Sequence, residues 1–134
     1  MKKQILIIDD DTSAACLLKL SLERTGAYEV RTENSGASGL AATKEFKPDL
    51  FLLDVDMPEM DGGEVACRIQ ADKNLKDIPI VFLTSMVSEQ EAGDEGALIG
   101  GFPFMAKPVN VKRLVERIER ILGKQREVQQ PTEA

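Results

Sequence analysis

Histidine and tryptophan are absent from this chain of 134 residues, and cysteine occurs only at Cys16 and Cys67. Without histidine or a Cys-x-x-Cys pair, the chain lacks the usual ligands of a zinc site, and we expect no such site. Both cysteines sit among apolar residues in segments predicted to be helical. We therefore expect them to be buried, reduced thiols.

Long apolar runs are also missing. No stretch approaches the roughly 20 apolar residues of a membrane-spanning helix. The basic start at residues 1–4 is followed by only four apolar residues, which is too short a run for a signal peptide. We expect a cytoplasmic protein that has no membrane partner.

Positive charge is in deficit, with 17 basic against 23 acidic residues and a net charge of −6. Binding to nucleic acid without regard to sequence needs a basic face, so we expect no nucleic-acid partner through this domain. The length suits a single domain with one core. Hydrophobic residues make up 43% and charged residues 30%, which is typical of a globular protein.

Short apolar runs alternate with segments of helical periodicity. We predict strands at residues 4–8, 28–32 and 49–54, a fourth that ends at Thr84, and a fifth at Phe102–Ala106. We predict helices at Thr12–Arg24, after Ser35, after Gly62 and from about Asn110 onward. This alternation favours an α/β fold in which one parallel sheet carries helices on both faces.

Two segments depart from this regular pattern. The fourth helix should lie within residues 88–101, but its glycines each cost about 1 kcal/mol of helix stability, so we expect it to be irregular, short or partly replaced by loop. Gly123 ends the apolar pattern of the last helix. We therefore predict a domain at residues 1–123 and a polar tail or truncated linker at residues 124–134.

Polar residues follow the predicted strands. Asp9, Asp10 and Asp11 come directly after the first strand, Asp54 and Thr84 end the third and fourth, and Lys107 follows the fifth. Ligands of an open parallel sheet bind outside the carboxyl ends of its strands. We therefore expect these side chains to form one site.

The carboxylates of Asp9, Asp10 and Asp54 would repel one another in such a site. Two carboxylates about 5 Å apart repel by about 3 kcal/mol at an effective dielectric of 20. A divalent cation removes that cost, and an all-oxygen site suits Mg²⁺. Asp54 is the candidate nucleophile toward phosphorus, while Lys107 and Thr84 can bind phosphoryl oxygens.

Each residue also has a simpler explanation when it is taken alone. Asp10 and Asp11 could cap the first helix, Thr84 could be an ordinary strand-end residue, and Lys107 could be a solvated loop charge. The occurrence of all of them at the same end of separate strands favours the functional interpretation.

With these residues in place, the chain resembles a response-regulator receiver domain of two-component signalling over about residues 3–123. The resemblance is carried by Ile5-Leu6-Ile7-Ile8-Asp9-Asp10-Asp11, by the stretch from Pro48 to Gly62, by Ile78-Pro79-Ile80-Val81-Phe82-Leu83-Thr84-Ser85, and by Lys107-Pro108. It implies a flavodoxin-like sheet of five parallel strands in the order 2-1-3-4-5. It also implies a phosphorylation-switched signalling module, not a conventional enzyme, beyond Mg²⁺-dependent self-phosphorylation and self-dephosphorylation.

The resemblance assigns a role to each residue of the predicted site. Asp54 would accept a phosphoryl group from a histidine kinase or phosphotransfer protein, and Mg²⁺ would be held by Asp9, Asp10, Asp54 and the Asp56 carbonyl. Thr84, Ser85 and Lys107 would contact the phosphoryl group, and Thr84 and Phe104 would change conformation as the switch. The peptide bond before Pro108 would be cis. Asp56 and Met86 would influence the lifetime of the phosphoryl group.

The chain departs from the family pattern after Thr84. Ser85 stands where the family usually has Ala, and the Gly-rich segment that follows is one residue longer than expected. Gly101-Phe102-Pro103-Phe104 replaces the usual small-acidic-acidic-aromatic run. These residues belong to the family's output surface, so the downstream protein and any homodimer stay open.

Two alternatives compete with this interpretation. Leu52-Leu53-Asp54-Val55-Asp56 fits the signature of haloacid-dehalogenase phosphotransferases, but those enzymes carry their nucleophile on the first strand. The other alternative is a receiver-like binding module that is never phosphorylated. The sequence leaves open the cognate kinase, the pathway, and whether this is a stand-alone regulator or a fragment of a longer chain.

Overall fold

A computed structural model of the protein describes residues 2–85, 98–99 and 101–129. Its strands are β1 (Lys3–Ile8), β2 (Tyr28–Glu33), β3 (Leu50–Asp54), β4 (Ile80–Thr84), β5 (Leu98–Ile99) and β6 (Phe102–Ala106). Its helices are α1 (Thr12–Arg24), α2 (Gly36–Ala42), α3 (Gly62–Ala71) and α4 (Val111–Gln129). The predicted alternation of strands and helices is confirmed.

The sheet has the order β2-β1-β3-β4-β6-β5. The five longer strands are parallel, and β6 is the fifth strand of the sequence prediction, so the predicted order 2-1-3-4-5 is confirmed. The short β5 adds an antiparallel strand at the edge, where Leu98 pairs with Pro103 and Ile99 with Phe102.

Strand β5 falls inside the segment in which the sequence predicts an irregular fourth helix. That prediction allowed for a short or partly replaced helix, and Leu98–Ile99 form a strand where it allowed for loop. The chain reverses before β6 at Gly101, whose φ of +90° is a conformation that glycine adopts at little cost. The rest of the predicted helix, at residues 86–97 and 100, lies outside the described residues.

Strands in the middle of the sheet are apolar throughout because both of their faces are covered. Successive side chains point to opposite faces. On β1, Ile5 and Ile7 pack in one cluster with α1 and α4, whereas Leu6 and Ile8 pack in the other with α2 and α3. The two layers hold the strand ends, and therefore the polar residues that follow them, at one edge.

Side-chain caps begin all four described helices. The side chains of Asp11, Ser35, Asp61 and Asn110 accept hydrogen bonds from the amides of Ala14, Ser38, Glu64 and Arg113, respectively. Ser35 was predicted as a cap, which is confirmed. Asp11 caps α1, so capping does not explain the adjacent Asp10.

Both cysteines are exposed, so the expectation of buried thiols is wrong. Helical periodicity explains the difference, because α1 buries Ala15, Leu18 and Leu22 and turns Cys16 outward. Cys67 lies on the exposed side of α3 in the same way. Leu17 and Leu20 are also exposed on α1, by 66% and 55%.

Helix α4 continues through Gly123 to Gln129, so the predicted end of the last helix at Gly123 is wrong. One glycine costs about 1 kcal/mol, and the lysine, glutamine, arginine and glutamate that follow it are good helix formers. The domain boundary at residue 123 stays a prediction. Within the described part of the chain, no helix combines the length and apolarity that crossing a membrane requires.

Candidate functional site

The ends of β1, β3, β4 and β6 bring Asp9, Asp54, Thr84 and Lys107 to one edge of the sheet. The register of the strands aligns their carboxyl ends, since Asp54 pairs with Leu83 and Thr84 with Ala106. Asp9, Asp54 and Thr84 are buried, each with 4% exposure or less. Buried polar groups need partners, and three of them beside an ammonium form a defined polar site.

Three carboxylates meet at this edge. Asp9, Asp10 and Asp54 each present an oxygen, and these atoms all lie within 4.8 Å of one another. The amide of Asp11 donates to Asp9 Oδ1 at 2.9 Å, and the amide of Asp56 donates to Asp54 Oδ1 at 3.3 Å, which orients both buried carboxylates. Because the donors are all carboxylate oxygens, the cluster fits Mg²⁺.

Lys107 bridges the two buried carboxylates. Its Nζ lies 2.7 Å from Asp9 Oδ2 and 3.6 Å from Asp54 Oδ1. Its amide donates to the Thr84 carbonyl at 2.8 Å, which anchors its backbone to β4. The Lys107–Pro108 peptide bond is cis. Lys107 therefore supplies a positive charge inside the acidic cluster.

The pKa of Asp54 is raised to about 7. Burial is the main cause, followed by the negative charge of Asp9 and a hydrogen bond with Asp10, and Lys107 opposes these effects. Burial also lowers the pKa of Lys107, but the hydrogen bond and charge of Asp9 outweigh it and leave that pKa above its usual value. An added cation would favour the ionised form of Asp54.

The loop after β3 packs tightly against the Asp54 backbone. A Cβ at Gly62 would collide with the carbonyl oxygen of Asp54, and the Gly62 amide donates to the Val55 carbonyl at 3.0 Å. In the same loop, Glu59 has a φ of 67°, which is uncommon for a residue other than glycine. Sequence reasoning identified Gly62 only as a turn residue, because this close approach depends on contacts between segments.

The remaining predicted site residues lie in different surroundings. Phe104 is buried in the cluster on the α2–α3 face, whereas Ser85 and the side chain of Asp56 are exposed. Met86 lies outside the described residues. The functional roles assigned to all of these residues stay predictions.

Arg117 makes a contact with the backbone of β6 that the sequence did not predict. From α4, its Nη1 donates to the backbone carbonyl of Phe104 at 2.9 Å. No sequence signal separates Arg117 from the other basic residues of the last helix. The distance between the two residues becomes short only after α4 packs against the sheet.

A family profile described as "Response regulator receiver domain" matches residues 5–119. The fold and the site define a receiver domain of this kind. The chain belongs to the response-regulator receiver-domain family, whose members are signalling modules in two-component systems. The haloacid-dehalogenase alternative is therefore set aside.

Three known proteins illustrate the similarity. The chain is 32% identical to the polar-differentiation response regulator DivK of Brucella anthropi over 92% of this chain and 98% of DivK. It is 34% identical to the DNA-binding dual master transcriptional regulator RpaA of Synechocystis, over 89% of this chain but only 48% of RpaA. The crystal structure of a CheY-like receiver domain protein from Methanospirillum hungatei superposes with a TM-score of 0.78, at 30% identity over 95% of this chain and 98% of the other. The chain thus spans about half the length of RpaA.

Proposed function

We propose that this domain accepts a phosphoryl group on Asp54 from the phosphohistidine of a histidine kinase or phosphotransfer protein, and then signals through protein contacts. The observation that carries the proposal is the surroundings of the buried Asp54 carboxylate. Its Oδ1 lies 3.6 Å from the Lys107 ammonium, and it shares a cluster of oxygens with Asp9 and Asp10. A nucleophile, a cation-binding set and a cationic anchor are thus in reach of one phosphoryl group.

The transfer itself is a displacement at phosphorus. An Asp54 oxygen bonds to phosphorus while the bond from phosphorus to the donor imidazole nitrogen breaks, and the imidazole keeps that electron pair. Mg²⁺ held by Asp9, Asp10, Asp54 and the Asp56 carbonyl would neutralise phosphoryl oxygens. The Asp56 amide, which donates to Asp54 Oδ1, keeps the carboxylate oriented.

Phosphorylation changes the charge balance around Lys107. The modified Asp54 carries about −1.5 to −2 charges. This charge favours movement of the Lys107 ammonium from Asp9 toward the phosphoryl group, and the Thr84 hydroxyl donates to another phosphoryl oxygen. Phe104 then takes the space that Thr84 leaves. Thr84 ends β4 and Lys107 directly follows β6, the neighbouring strand, so both respond to the same event.

The proposed setting is the cytoplasm, where the protein acts between a phosphodonor and a downstream protein. The DNA binding stated for RpaA is not carried over, because this chain covers only about half of that protein. The net charge of −6 also disfavours nucleic acid as a partner of this domain. DivK is named as a response regulator, and the match to this chain covers 98% of it.

A protein donor must cover the rim of the site, and α1 begins at that rim, directly after the acidic residues. Its outer face exposes Leu17 and Leu20 by 66% and 55%. We assign this face to the phosphodonor. Leu17→Ser combined with Leu20→Ser should slow phosphorylation by a kinase that phosphorylates the wild type, yet leave phosphorylation by acetyl phosphate unchanged. Equal slowing with both donors would contradict this assignment.

The proposed function is tested with acetyl phosphate and intact-protein mass spectrometry. The wild type should gain one phosphoryl group when Mg²⁺ is present and none in EDTA. Asp54→Asn should abolish the gain, whereas Asp11→Asn should retain it, since asparagine also caps a helix. Modification that persists in Asp54→Asn would exclude Asp54 as the acceptor, and no modification of the wild type would favour an unphosphorylated binding module.

A further inference from the structure

Arg117 joins α4 to the backbone of β6. Its Nη1 donates to the Phe104 carbonyl with 2.9 Å between the two atoms. The Phe104 ring packs in the cluster on the α2–α3 face, whereas α4 packs through Leu114 and Ile118 in the cluster on the opposite face. The hydrogen bond therefore connects the Phe104 backbone to a helix on the other side of the sheet.

The Phe104 carbonyl points away from β4. The Lys107 amide faces β4, because it donates to the Thr84 carbonyl at 2.8 Å. Backbone groups of successive strand residues alternate in direction, so those of Phe104, three positions earlier, face the outer edge. At that edge the described residues of β5, Leu98 and Ile99, pair with the two residues before Phe104. Arg117 thus provides a donor to a carbonyl at the edge of the sheet.

The Phe104 carbonyl, which accepts the hydrogen bond from Arg117, belongs to the strand that leads into the polar site. Lys107 follows Phe104 by three residues, or about 10 Å of extended chain. The side chain of Lys107 contacts Asp9 and Asp54. If the Lys107 backbone follows its ammonium toward a phosphoryl group, it pulls on a strand that Arg117 attaches to α4.

We propose that Arg117 is a positioning residue that transmits the displacement of β6 on phosphorylation to helix α4. The inference rests on the proposed function of Asp54. This hydrogen bond joins Arg117 to the Phe104 backbone and not to the carboxylate cluster or to Thr84. Arg117 therefore acts through the Phe104 backbone.

The test is amide hydrogen exchange with and without beryllofluoride and Mg²⁺, read in two regions of the same sample. In the wild type, both the ends of β3 and β4 and the first turns of α4 should change their exchange rates. In Arg117→Met, the change at the strand ends should persist and the change in α4 should be lost. Arg117→Lys keeps a cationic donor and should recover part of the α4 change.

Lys112→Met provides the control, since it removes an exposed cation from the same helix and should respond like the wild type. A merely structural role for Arg117 would raise exchange in α4 without altering its response to beryllofluoride. An α4 response that persists in Arg117→Met, or the loss of both responses, would overturn the inference. A wild type in which no region responds would contradict the proposed function itself.

Discussion

The Lys107 ammonium lies 2.7 Å from Asp9 Oδ2, nearer than its 3.6 Å approach to Asp54 Oδ1. Asp9 is almost fully buried, with 2% exposure, so this ion pair compensates much of the cost of burying its charge. The same ammonium is the predicted anchor of a phosphoryl group. Without a phosphoryl group, Lys107 thus stabilises the acidic site, chiefly through Asp9.

Replacing Lys107 with methionine should destabilise the metal-free protein by about 1.5–3 kcal/mol at neutral pH, because Asp9 loses a charged hydrogen-bond partner. Urea unfolding of Lys107→Met against the exposed control Lys73→Met measures the loss. In an Asp9→Asn background most of the effect should vanish, as expected for coupled residues. An equal loss in Lys73→Met would mean that the ion pair contributes nothing specific.

Stability should depend on the titration of Asp54. Its folded-state pKa of about 7 lies above the ordinary value, so between these two values the folded state holds a proton that the unfolded state has lost. The resulting stabilisation is complete below the ordinary pKa and is lost as the pH rises through about 7.

Asp54→Asn removes this titration. In EDTA, its midpoint of thermal unfolding relative to the wild type should therefore increase between about pH 5 and about pH 8.5. Added Mg²⁺ should reduce the difference at the higher pH, since the cation stabilises the ionised wild type. A difference that is the same at both pH values would contradict the raised pKa.

Asp10→Asn should weaken Mg²⁺ binding by at least about tenfold, or 1.4 kcal/mol, because it removes one of the three clustered carboxylates. The metal-free variant should be slightly more stable than the wild type, since carboxylate repulsion is relieved. Titration calorimetry and thermal unfolding measure the two effects. As a control, the neighbouring variant Asp11→Asn should bind Mg²⁺ like the wild type. An unchanged Mg²⁺ affinity in Asp10→Asn would contradict the assignment of Asp10 as a metal ligand.

Two glycines in open surroundings should respond oppositely to alanine. Among the described residues, a Cβ at Gly101 or at Gly123 would meet no atom within 4 Å beyond its chain neighbours and its own helix backbone. Gly101 has a φ of +90°, so Gly101→Ala should destabilise the protein by about 1–2 kcal/mol. Gly123 lies inside α4, so Gly123→Ala should stabilise it by up to about 1 kcal/mol. Chemical denaturation measures the free energy of unfolding of each variant. Changes of the same sign in the two variants would refute this explanation.

Both thiols should react with a disulfide reagent in the native protein, because Cys16 and Cys67 are exposed. Two equivalents should be modified without denaturant, and each of Cys16→Ser and Cys67→Ser should lose one. A thiol that reacts only after unfolding would show that its helix face is covered in solution.

The strands and their order could be predicted because short apolar runs and turn residues are local signals, and the family resemblance supplied the order. Local patterns were less informative where two tendencies compete. Gly123 has low helix propensity, but its neighbours carry α4 past it. Residues 98 and 99 lie in a segment with weak helical signals, and pairing with β6 makes them a strand.

By itself, the sequence determined the alternation of strands and helices, the location of Asp9, Asp10, Asp54, Thr84 and Lys107 at strand ends, and the family. These features depend on spacing along the chain. Only the tertiary structure decided that Lys107 pairs more closely with Asp9, that Gly62 packs on the Asp54 carbonyl, and that Arg117 holds Phe104. Those contacts join segments that are distant in sequence, and their distances depend on how strands and helices pack together, which residue spacing does not specify.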